Sequence, residues 1–189
     1  MLNKRIFDLV FSLILIVLLF IPILLISIVL RLTSAEPIYW SDRVGRDNVI
    51  FRMPKFRSMH INTPAIATHL MSDSESEAFL TPIGGFLRRY SLDEMPQLFS
   101  ILKGDMSFVG PRPALFNQED LIALRTEKGV DKLLPGVTGW AQVNGRDKLS
   151  IPEKVDLDVQ YLNHQSFWFD VKILWMTLLK VIRRDNVSH

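Results

Sequence analysis

The longest uncharged apolar run extends from Leu9 to Leu30, 22 residues. As a straight helix it would reach roughly 33 Å, about the thickness of one hydrocarbon core. The pattern therefore predicts a membrane element. Pro22 stands near its middle. An interior proline removes one hydrogen bond and clashes with the carbonyl four residues earlier, here Leu18. In lipid that carbonyl needs another partner. Two shapes satisfy the pattern: a kinked span, or a re-entrant helix that breaks near Pro22 and returns to the side it entered.

The flanks favour the return. Lys4 and Arg5 precede the run, and Arg31, Arg43, Arg46, Arg52, Lys55 and Arg57 follow it. Short basic flanks stay in the cytoplasm. A span would force one flank across, whereas a re-entrant helix leaves both inside. A cleaved signal peptide fits poorly, because Arg31-Leu32-Thr33 is not a small-residue cleavage site.

Beyond the run the pattern changes to short elements. Ile38-Tyr39-Trp40 and Val49-Ile50-Phe51 are β-prone, with the turn residues Gly45-Arg46-Asp47-Asn48 between them. They predict a small hairpin ended by Pro54. Ile61 to Glu77 is a polar excursion, and Thr81-Pro82-Ile83-Gly84-Gly85 is a turn into Phe86-Leu87-Arg88-Arg89. One helix is predicted from about Asp93 to Lys103, stopped by Gly104, and a second from Ala114 to Lys128, stopped by Gly129. A third opens at the capping box Ser150-Ile151-Pro152-Glu153. A last helix, 170–183, has little polar surface. It is either a buried core helix or one lying in the membrane interface, with tryptophans at headgroup depth and lysines snorkelling.

Composition narrows the class. The residues after the apolar run, about 155, suffice for one compact domain. Net charge is +2 and the sequence pI is about 9.0. The basic residues after the run would meet anionic headgroups or an anionic substrate. No nucleic-acid motif accompanies them, so no nucleic-acid partner is expected. The absence of cysteine excludes disulfides and thiolate metal sites. His60, His69, His164 and His189 lack metal-ligand spacing.

The candidate chemistry lies in three short segments. In Ser91-Leu92-Asp93-Glu94-Met95-Pro96, the proline belongs in a first helical turn, which moves the N-cap to Asp93 or beyond. Asp93 is then either a plain cap or, with Glu94, one of two carboxylates at the positive end of a helix. Such a pair could hold Mg²⁺ and attack a phosphoryl group. In Gly110-Pro111-Arg112-Pro113, two prolines hold the backbone around one arginine, which suits phosphate binding. Lys55-x-Arg57, with Arg88 and Arg89, can add further charge.

Taken in order, Lys55-Phe56-Arg57-Ser58-Met59, Ser91 to Gln97, Gly104 to Pro113 and Pro135-Gly136-Val137-Thr138-Gly139-Trp140-Ala141-Gln142 resemble the bacterial sugar transferases. The chain is similar to their small, monotopic phosphoglycosyl transferases over nearly its whole length. The resemblance implies transfer of a sugar 1-phosphate from a UDP-sugar to undecaprenyl phosphate, with release of UMP. It implies Asp93 as the nucleophile of a covalent phosphosugar intermediate, and Glu94 as the carboxylate that binds Mg²⁺. Arg112, between Pro111 and Pro113, would lie near the nucleotide. Lys55, Arg57 and Arg88 are implied phosphate contacts, and Arg146 is a further substrate-binding candidate. Relatives often carry serine before the membrane proline, where this chain has Ile21.

The expected fold is mainly α with a small β-hairpin. A re-entrant anchor, 1–32, precedes one cytoplasmic α/β catalytic domain, 33–189, with interfacial amphipathic helices. The expected location is the cytoplasmic face of the bacterial inner membrane. Membrane lipids are expected partners, and a homodimer is a further expectation. In its small size and its ending, 183–189, the chain resembles family members that use N-acetylated, often 6-deoxy, amino sugars, which implies such a donor; the alternative is a hexose such as galactose or glucose. A non-catalytic membrane adaptor is the competing class.

Overall fold

The computed structural model describes residues 2–33, 36–61, 63, 78–145 and 148–183. Helices α1 (Leu2–Leu18) and α2 (Phe20–Thr33) meet at Leu19 with a bend of 62°. The break expected near Pro22 thus lies three residues upstream of it. Pro22 is the third residue of α2, and its ring crowds the Leu18 carbonyl without offering it an N–H. On either side regular bonding continues: the Leu19 N–H donates to Leu15 at 2.8 Å, and the Ile23 N–H donates to Leu19 at 2.9 Å. Among the described residues no single helix is long and apolar enough to cross a membrane.

Both ends of this bent pair are fixed to the rest of the molecule. Near the start of α1, Lys4 pairs with Asp170 at 2.6 Å. Asp170 also accepts a bond from the Tyr161 hydroxyl at 2.6 Å. Arg5 donates to the carbonyls of Ile101 and Leu102 at 2.7 and 2.9 Å. Asp8 is buried and accepts the Phe108 N–H at 3.1 Å. Lys4 and Arg5, expected as a cytoplasmic flank, are therefore bonded into the domain itself. At the other end Leu30 is buried against Phe56 and Leu87. Burying one such leucine stabilises by roughly 1.5–3 kcal/mol. The outward face stays apolar and exposed, including Val17, Leu18, Ile21, Leu25 and Leu32.

The hairpin is present and longer than expected. Strands β1 (Ile38–Val44) and β2 (Ile50–Phe56) pair antiparallel from Ile38↔Phe56 to Val44↔Ile50. Pro54 does not end β2. In the sheet β1 lies between β2 and a short strand at Ala114–Leu115, so β2 is an edge strand where a missing N–H costs no ladder bond. The short strands β3 (Ser107–Val109) and β4 (Ala114–Leu115) follow helices α3 (Gly84–Arg89) and α4 (Gln97–Lys103). A helix was expected from Ala114. Instead β4 pairs with β1 at Val44 and Arg43. The prolines at 111 and 113 keep the chain extended into it. Helix α5 (Glu119–Glu127) starts after β4 and ends before Gly129, which takes a left-handed φ of 73°.

Strand β5 (Gly136–Thr138) pairs parallel with β3. The two chains approach closely just beyond their ends: a Cβ on Gly110 would lie 2.2 Å from the Leu134 carbonyl oxygen, and one on Gly139 would lie 2.1 Å from that of Gly110. These two glycines are space requirements. A short helix α6 (Trp140–Val143) follows, then α7 (Ile151–His164) and α8 (Phe167–Arg183). The expected capping box forms at α7, where the Glu153 carboxylate accepts the Ser150 N–H and hydroxyl at 2.8 and 2.7 Å. Helix α8 begins three residues before the expected Asp170, because Ser166 accepts the Phe169 N–H at 3.2 Å and caps it there.

Helix α8 has one buried apolar face and one exposed apolar face. Ile173 is fully buried, whereas Trp168 is 77% and Trp175 60% exposed. Lys172 lies 5.3 Å above the Trp140 ring. The main core joins Ile101, Met106, Val109, Tyr161 and Ile173, with Phe7 and Leu15 of α1 against it. Most of the polar excursion at 61–77 lies outside the described residues.

Candidate active site

Asp93 does not cap the α4 helix. It sits in a separate 3-10 turn, Leu92–Glu94, and α4 begins at Gln97 after Pro96. Ser91 opens that turn in the left-handed region with φ 53°, an unusual conformation for a non-glycine residue. The turn places two adjacent carboxylates differently: Asp93 is only 8% exposed, while Glu94 is half-buried.

Cations converge on this pair. Lys55 Nζ lies 2.8 Å from Glu94 Oε1, and Arg112 Nη2 lies 3.7 Å from the same oxygen. Burial raises the Asp93 carboxyl above its ordinary value. The charge of Lys55 pulls it back, the Glu94 charge pushes it up, and Arg88 pulls it down. Arg88 on α3 also donates to the Met59 sulfur at 3.2 Å. The structure thus brings Lys55 and Arg112, distant in sequence, to Asp93, Glu94 and Arg88.

Other expected residues fall elsewhere. Arg57 is fastened at the end of the sheet by Glu36, with its Nη2 3.0 Å from the Glu36 carboxylate, and it lies over the Tyr39 ring at 5.8 Å. Pro111 and Pro113 are buried and act through the backbone. Arg146 lies outside the described residues.

The Arg112 loop is held at each carbonyl. The Pro111 carbonyl accepts the Gly136 N–H at 2.9 Å. The Arg112 carbonyl accepts Arg125 Nη1 at 2.8 Å. The Pro113 carbonyl accepts Arg43 Nη1 at 3.2 Å. Arg125 is itself gripped by buried Asp158, through Nη2 at 2.7 Å and Nε at 3.0 Å. Sequence reading missed Arg43, Arg125 and Asp158 as contributors. Strand alternation was the available signal for Arg43: Tyr39, Ser41 and Arg43 share a face with Lys55.

Among the described residues no group of three or more His, Asp or Glu side chains could hold an ion. Mg²⁺ commonly takes one or two carboxylates and completes its shell with substrate phosphates and water. Asp93 and Glu94 meet that requirement.

Comparison with known proteins gives the same direction. A family model described as bacterial sugar transferase matches residues 1–184. The chain is 39% identical over 192 residues to the uncharacterized sugar transferase EpsL of Bacillus subtilis, covering 100% of this chain and 92% of that protein. It is 36% identical over 199 residues to an undecaprenyl-phosphate glucose phosphotransferase of Komagataeibacter xylinus, covering 98% of this chain and 37% of the relative. It is 35% identical over 201 residues to an undecaprenyl-phosphate galactose phosphotransferase of Salmonella typhimurium, covering 97% of this chain and 41% of the relative. The chain therefore spans nearly all of EpsL and about two fifths of the longer relatives. With the motifs in order and a match over 1–184, the chain belongs to the bacterial sugar transferase family.

Proposed function

We propose that this chain transfers a hexose 1-phosphate from a UDP-sugar to undecaprenyl phosphate, releasing UMP and beginning surface glycan synthesis. The observation that carries the reading is a buried carboxylate, Asp93, under the charges of Lys55 and Arg88, beside Glu94, which Lys55 and Arg112 approach. The relatives' names support hexoses, glucose and galactose, ahead of the N-acetylated amino sugar that the family resemblance implies.

The mechanism has two steps. An Asp93 carboxylate oxygen attacks the phosphorus that carries the sugar. The bond from that phosphorus to the bridging oxygen breaks, and UMP leaves with the electron pair. The aspartyl phosphosugar is then attacked at phosphorus by an oxygen of undecaprenyl phosphate, and the Asp93 carboxylate departs. Each step brings two anions together, so the cations of Lys55, Arg88 and Arg112 offset the repulsion. Glu94, with Asp93, would hold Mg²⁺, which neutralises charge on the diphosphate when bound.

The acceptor is a lipid, so the site must lie at headgroup height. We read α1 and α2 as a re-entrant anchor on the cytoplasmic face of the bacterial plasma membrane. Its support is the attachment at both ends, Lys4 to Asp170 and Leu30 to Phe56 and Leu87. The exposed apolar face between them and Trp168, Trp175 and Leu178 of α8 would contact lipid.

The test is release of UMP from UDP-glucose, UDP-galactose and UDP-N-acetylglucosamine, each with undecaprenyl phosphate and Mg²⁺. Release from a hexose donor, lost with chelator and in Asp93→Asn, is expected. Release only from the N-acetylated donor would overturn the sugar assignment. No release from any donor would favour the adaptor reading.

A further inference from the structure

Arg43 feels the Glu94 charge only through space and makes its direct bonds to neutral groups. Its side chain lies on the inner face of β1, the face that also bears Lys55. Its partners are two neutral oxygens: Nε donates to Ser41 Oγ at 3.0 Å, and Nη1 donates to the Pro113 carbonyl at 3.2 Å. Among the described residues no carboxylate stands within ion-pair distance of it. Guanidinium groups drawn out of water are normally paired with an anion. The Pro113 contact also sets Arg43 one residue from Arg112, and both guanidinium groups, one from β1 and one from the loop, act on Glu94. Among the described residues, Arg43, Lys55 and Arg112 all act on Glu94, and Lys55 also acts on Asp93.

We propose that Arg43 is a further phosphate-binding residue of this site, contacting a substrate phosphate beside Arg112. A guanidinium bonded only to neutral oxygens, one residue from Arg112, is the group that a phosphate oxygen would pair with. Burial and the Arg112 charge lower the Arg43 guanidinium to about 10, which still leaves it protonated at neutral pH. The inference rests on the site being a sugar-phosphate transfer centre. The same chemistry could meet the donor's diphosphate or the acceptor's monophosphate, and the test separates the two.

The full chain in lipid nanodiscs with Mg²⁺ would be titrated with UDP by calorimetry, and the KM for undecaprenyl phosphate measured in turnover. Arg43→Gln removes the charge, and Arg43→Lys keeps it while losing the bridge between Ser41 and Pro113. Losing one charge-assisted hydrogen bond weakens binding roughly 10- to 100-fold. A loss of that size in UDP affinity for Arg43→Gln, partly restored in Arg43→Lys at unchanged Tm, would assign Arg43 to the donor. The same loss confined to the acceptor KM would assign it to the lipid phosphate. Unchanged UDP affinity and acceptor KM would overturn the proposal. So would equal losses in both variants accompanied by a fall in Tm, which would make Arg43 a loop brace only. A wild-type chain that neither binds UDP nor turns over would instead contradict the transfer reading itself.

Discussion

Lys55 bonds to Glu94 at 2.8 Å, and Asp93 feels the Lys55 ammonium only through space. One carboxylate of the pair is thereby tied to a cation, while its neighbour is buried and left to react. That division suits a nucleophile beside a charge-holding partner.

A pH profile follows from it. Burial raises the Asp93 carboxyl, so the reactive carboxylate appears only above the ordinary Asp range, and kcat/KM rises with pH through that ionisation. Lys55 lowers this ionisation and Glu94 raises it. Lys55→Met should move the acidic limb to higher pH, and Glu94→Gln should move it to lower pH, both at reduced rate. Limbs that stay in place in both variants would detach Asp93 from the ionisation.

The Arg125–Asp158 pair is expected to position Arg112 through its carbonyl. The pair is nearly sealed, with side chains 11% and 2% exposed. Asp158→Ala strands the Arg125 charge and should cost about 3–5 kcal/mol of stability. The double change Arg125→Met with Asp158→Leu should recover most of that stability, because apolar pairs replace buried ion pairs well. It should not recover kcat/KM, because the bond to the Arg112 carbonyl is gone. Thermal melts and kinetics on the same samples would decide. Full recovery of both would make the pair purely structural.

Membrane topology is the third prediction. The chain has no cysteine, so single cysteines at Asn3 and, separately, at Asp42 can be labelled in intact cells with an impermeant reagent. Both positions are exposed on the protein. Both should stay unlabelled until the membrane is opened. Labelling at Asn3 alone would mean a spanning helix. Pro22→Leu restores an unbroken apolar run and should shift part of the population toward that labelled state.

The elements legible in the sequence were those with local signals. Gly104 and Gly129 stopped helices where expected, Ser150 and Glu153 formed their box, and Gly45 to Asn48 turned the hairpin. Pro54 misled because edge position, which excuses a strand proline, is a tertiary fact. Ala114 misled because its partner is Val44, seventy residues earlier. Asp93 and Glu94 were visible as a motif, but their unequal burial was not. Lys4, Arg5 and Arg43 read as flanking charge, since nothing local shows that Asp170, Ile101 and Pro113 will be their partners.

The central claim is that Asp93 becomes covalently linked to the phosphosugar. Incubating the chain with the UDP-hexose it turns over and Mg²⁺, without undecaprenyl phosphate, allows only the first step. Intact-protein mass spectrometry should show a species heavier by one hexose phosphate, and acid-quenched peptide mapping should place it on Asp93. Adding undecaprenyl phosphate should discharge it, and Asp93→Asn should never form it. Turnover with no adduct under trapping, or an adduct on another residue, would contradict the account.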